Sequence, residues 1–167
     1  MIRSLRTAMA LLALCSCAGP LLRAQKPEDQ DDKDVKAYVL NEDKFQRFTA
    51  SFSDVAGCRK QNRAAWEQAV ADPSYADATL TQKSKMLDGK VPQCMALLKN
   101  HGMDTREYLI AVESLNQATS VVVMKKRGMT IPAAKTAEGV SPETLSFVES
   151  HYEEIEKWRL SVVSQAK

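Results

Sequence analysis

Apolar residues along this chain recur at intervals of three and four, and strand-like alternation is almost absent, so the pattern predicts helices and no sheet. The longest such stretch runs from Asp104 to Arg127. On a helical wheel Tyr108, Ala111, Val112, Leu115, Ala118, Val122 and Val123 share one broad arc, interrupted by Thr119, while Leu109, Ile110, Val121 and Met124 add apolar surface elsewhere. A helix so apolar has to be covered on more than one face, which predicts a central position. Its ends are marked as well. Asp104-Thr-Arg-Glu107 reads as an N-cap with a capping box, Met103 and Tyr108 occupy the staple positions, and Gly128 follows the basic turn Lys125-Lys126-Arg127.

The other elements follow the same logic. Asn41 is placed to cap a first helix carrying Phe45, Phe48, Phe52 and Val55 on one face, with Gly57 as a candidate kink and Asp72-Pro73 as the stop. Whether residues 41–71 form one bent helix or two is left open by the pattern. Residues 72–78 read as a loop, and short helices are predicted from Thr79 or Thr81 to Gly89 and from Pro92 to His101. Residues 128–140 read as a loop, and Ser141-Pro142-Glu143 starts a final helix with Leu145, Val148, Tyr152, Ile155 and Val162 facing the core. The expected fold is an all-α, single-domain bundle of about five helices around the long central one. Tyr38-Val39-Leu40 is expected to lie against it as an extended entry segment.

Charge changes the picture at the N-terminus. The 167-residue chain carries a formal +2, but residues 1–24 hold Arg3, Arg6 and Arg23 and no acid, so the remainder is at −1. Those residues have the order of a signal peptide: two arginines, then an apolar run from Ala8 to Cys17 that is too short to span a bilayer. Cleavage after Ala24 is one expected route. The alternative is a lipobox-like Leu14-Cys15-Ser16-Cys17, which would leave Cys17 lipidated and the protein tethered to the outer membrane. Both routes export the chain, with no transmembrane helix in the mature protein. Residues 25–37 are acid-rich and are expected to form a disordered tether before a bundle domain over 38–167. A near-neutral mature chain without a basic stripe is a poor candidate for nucleic-acid binding.

With the leader removed, Cys58 and Cys94 remain, and an even pair in an oxidising compartment predicts a disulfide. The chain contains no Cys-x-x-Cys to favour a redox or metal pair. Catalytic chemistry is thinly represented: there are two histidines, and neither a Gly-x-Ser-x-Gly elbow nor a glycine-rich phosphate loop. His101 falls in the last turn of its helix. His151 falls among Phe147, Trp158 and Val162, with Glu154 three residues on, and is the candidate ligand-binding residue. The stripe Phe45, Phe48 and Phe52 fits either core packing or an aromatic ligand box. These features predict a non-enzymatic binding module of the cell envelope, without a bound cofactor, whose partner is an envelope protein or a small ligand. The alternative is a bundle carrying haem or metal, using His101 or His151 with one of Met86, Met95, Met103, Met124 or Met129.

Gly102-Met-Asp-Thr-Arg-Glu-Tyr108, Ser141-Pro-Glu-Thr-Leu-Ser-Phe-Val148 and the Tyr38-Val39-Leu40 entry resemble small exported helical proteins of Gram-negative bacteria. The resemblance spans most of residues 38–155 in outline. It implies export and a helical fold, and brings no activity with it.

Overall fold

The computed structural model describes residues 30–130 and 139–165. The leader with Cys17, residues 25–29 and most of the loop after Gly128 lie outside the described residues. The elements are α1 (Gln30–Ala37), α2 (Glu42–Gln61), α3 (Arg63–Val70), α4 (Pro73–Asp77), α5 (Leu80–Lys90) and α6 (Pro92–Met95). A 3-10 turn (Ala96–His101), α7 (Thr105–Lys126), α8 (Pro142–Ser150) and α9 (Tyr152–Gln165) complete them. The protein is an all-α bundle, and the described residues contain no strand.

The central helix is α7, which packs against α1, α5 and α8. Asp104 caps it, its Oδ1 accepting from Glu107 N at 2.7 Å, and Gly128 at φ +72° adopts the left-handed turn that follows its last residues. Thr119 does not interrupt the buried face. It is 1% exposed, and its hydroxyl donates to Leu115 O at 2.7 Å, so the helix itself satisfies the polar atom.

There are more helices than the roughly five expected from periodicity, nine among the described residues, because two stretches break where a side chain competes for the backbone. The expected kink at Gly57 falls instead at Asn62, whose backbone N and side-chain Nδ2 both donate to Cys58 O at 2.9 Å. Residues 42–70 are therefore two helices. The final helix divides at His151, which has φ −110° and ψ 19° and donates from N and Nδ1 to Phe147 O. Residues 73–77 form a short helix where a loop was expected, with Asp72 as its cap.

The entry segment is extended, with Tyr38 and Leu40 buried. Thr144, fully buried on α8, donates to Tyr38 O at 2.8 Å and accepts from Leu40 N at 2.8 Å. Ser141, the N-cap of α8, also donates to Tyr38 O. One end of α8 is thus tied to the start of the bundle across more than 100 residues of sequence.

The acidic stretch corrects the expectation of a disordered tether: from Gln30 it is helix. Its composition is too polar to fold alone, but its partners are distant in sequence. Val35 is 3% exposed, Asp34 pairs with Arg106 of α7, and Asp31 Oδ2 accepts from Leu80 N at the start of α5. Hydrogen bonds from Arg106, and then Gln30, hold the Asp34 carboxyl below its ordinary value of 3.8. A carboxylate with a depressed native pKa contributes stability above its unfolded pKa and loses it as pH falls through the native value. Wild type is therefore expected to lose more stability than Asp34→Asn below pH 3.8. Urea midpoints on either side of that pH check it, and parallel loss in both proteins would contradict the docking role of Asp34.

Candidate functional site

The aromatic stripe of α2 divides by depth. Phe45 and Phe48 are 3% and 1% exposed, whereas Phe52 is half-buried. Trp158 of α9 lies against all three, with ring centroids at 6.0, 5.5 and 5.3 Å. Tyr108 of α7 lies 5.8 Å from Phe48 and 6.2 Å from Phe52. Burial among these rings raises the Tyr108 hydroxyl pKa well above its usual value.

Beside this cluster is a cleft of about 230 Å³ where α2, α7 and α9 meet. Each helix supplies side chains at the spacing that puts residues on one face: Phe48 and Phe52 from α2, Val112 and Leu115 from α7, Trp158 and Val162 from α9. Asn116 and Arg159 complete the lining. Six apolar side chains thus meet one amide and one cation, with no acid among the lining residues. Asn116 is exposed at the mouth. Arg159 keeps 42% of its side chain exposed and meets Glu156 at 3.4 Å. The Trp158 indole Nε1 is buried and has no hydrogen-bond partner among the described residues.

The cysteine, histidine and methionine candidates lie elsewhere. Cys58 and Cys94 place their sulfurs at disulfide distance, 2.01 Å, and join α2 to α6. His151 is not among the cleft residues. Its ring stacks on Phe147 at 4.2 Å, and because a carbonyl only accepts, the 2.9 Å contact with Phe147 O assigns the proton to Nδ1. Its Nε2 lies 3.7 Å from Glu42 Oε2. His101 reaches Asp54 of α2 at 2.8 Å, a partner that sequence reasoning missed because it sits 47 residues away. Of the methionines, Met95 and Met103 are core residues, and Met103 Sδ accepts from the buried Ser51 hydroxyl at 3.5 Å. No group of three or more His, Cys, Asp or Glu is placed to hold a metal ion among the described residues. Nor is any described helix long and apolar enough to cross a membrane.

The sequence pattern marks Phe48, Phe52, Val112, Leu115, Trp158 and Val162 as apolar-face residues but does not bring them to one cleft. The available signal was Trp158 and Val162 four residues apart, with Arg159 between them. No family model, curated protein or solved structure matches the chain.

Proposed function

We propose that this protein is an exported, non-enzymatic binding module whose aromatic cleft receives an apolar group. The cleft carries the reading: three rings and three aliphatic side chains line an open volume of about 230 Å³ beside the core. Pockets of this composition take their affinity from apolar burial and their orientation from a few polar groups. Both histidines are engaged in contacts of the fold, His101 with Asp54 and His151 with Phe147 O, which supports a binding role over a nucleophile–base pair. The leader pattern supports export, by cleavage after Ala24 or with a lipid tether at Cys17.

A neutral fluorescent probe, phenylnaphthylamine, is expected to bind the purified protein at one equivalent and to quench Trp158. Val112→Phe fills the cleft from the α7 side and is expected to abolish that binding while leaving the melting temperature within a few degrees. Unchanged probe affinity in a folded Val112→Phe variant would remove the cleft as the binding site.

A further inference from the structure

The composition of the cleft goes further than an apolar preference. Its lining includes one full charge, Arg159, and one neutral polar side chain, Asn116. A guanidinium donates only, and the amide can donate as well as accept. Both reach water at the mouth, so an apolar guest would leave them to solvent, whereas a guest carrying an acceptor would engage them. A cationic guest would meet Arg159 with no lining acid to offset it. Glu156 meets Arg159 only through Nη1 at 3.4 Å, a long contact that leaves most of the guanidinium fork for another acceptor.

Size and wall chemistry narrow the guest again. A void of about 150 Å³ holds a benzene-sized molecule, so the 230 Å³ here has room for roughly a bicyclic ring. Phe48, Phe52 and Trp158 pack edge-to-face around that space, and an aromatic guest extends the same arrangement. We infer that the ligand of this cleft is a small aromatic carboxylate, its ring against Phe48, Phe52 and Trp158 and its anion on the Arg159 guanidinium. The inference rests on the binding-module reading and adds the charge and the ring.

The test compares two probes of one shape, naphthoate and its neutral methyl ester, by titration calorimetry against wild type, Arg159→Gln and Val112→Phe. Naphthoate is expected to bind wild type more tightly than the ester. Arg159→Gln is expected to weaken naphthoate about tenfold and to leave the ester unchanged, as for one charge-assisted hydrogen bond. Val112→Phe is expected to block both. Should that variant fail to fold, Asn116→Phe at the exposed mouth serves as the block. Equal affinity for acid and ester, with no effect of Arg159→Gln, would overturn the inference while leaving the cleft as an apolar site. Naphthoate binding that depends on Arg159 but survives both blocks would mark surface ion pairing and overturn it too. Octanoate binding more tightly than naphthoate would replace the ring by an acyl chain and overturn the aromatic assignment. Binding of neither probe would remove the cleft reading and the inference together.

Discussion

Phe48→Ala is expected to lower stability by about 3–5 kcal/mol, the range for truncating a buried aromatic residue. Phe48 is 1% exposed, and its ring meets Phe52, Tyr108 and Trp158 at centroid distances of 5.9, 5.8 and 5.5 Å. Truncation removes the ring that those three share. Because Phe48 also lines the cleft, the new void opens into it. The same change should therefore loosen the hold on a small apolar probe while favouring a bulkier one. Phe52→Ala is the control. That ring is half-buried at the cleft wall, so its loss should cost clearly less. Urea denaturation of both variants settles the order. A Phe52→Ala protein as unstable as Phe48→Ala would contradict the division of the stripe into core and wall.

That division shows where reading from sequence stops. Helix caps are local and therefore legible. Asp104 and Ser141 are recognisable caps, and each side chain accepts from the backbone N–H three residues on. The disulfide partners were equally accessible, since only two cysteines follow the leader pattern. The helix breaks were harder. Asn62 and His151 interrupt otherwise continuous patterns by turning a side-chain donor onto a carbonyl four residues back, which hydrophobic periodicity does not register. Helix α1 escapes a reading from sequence for a different reason. Its eight residues include three aspartates, and the cation that pairs with Asp34 is 72 residues away. The cleft combines both cases. An aromatic stripe on α2 is visible at once, but which rings face solvent depends on how α7 and α9 cross it. Arg159 acquires its meaning only from that crossing.

Removing the Cys58–Cys94 bridge is expected to lower stability by about 3–4 kcal/mol, from the loop-closure entropy returned to the unfolded chain. The bridge spans 36 positions in sequence and fastens α2 to α6. Cys58→Ala/Cys94→Ala is the suitable variant, because Cys94 is fully buried and a serine hydroxyl there would need a partner. The native arrangement should survive the loss. Asn62 donates to Cys58 O at 2.9 Å and accepts from Gln93 Nε2 at 3.0 Å, so α2 and α6 stay linked by side-chain amides without the covalent bond. The double variant should accordingly keep its helical circular dichroism and its probe binding, while its urea midpoint falls to that of wild type treated with dithiothreitol. Dithiothreitol should leave the variant itself unmoved. A wild-type midpoint indifferent to reductant would mean that the two sulfurs exist as thiols in solution. Such a result would also weaken the export proposal, since a disulfide of this kind persists in an oxidising compartment and is rare in a reducing cytosol. A reductant-dependent midpoint in protein taken from its own host would instead support both the bridge and export.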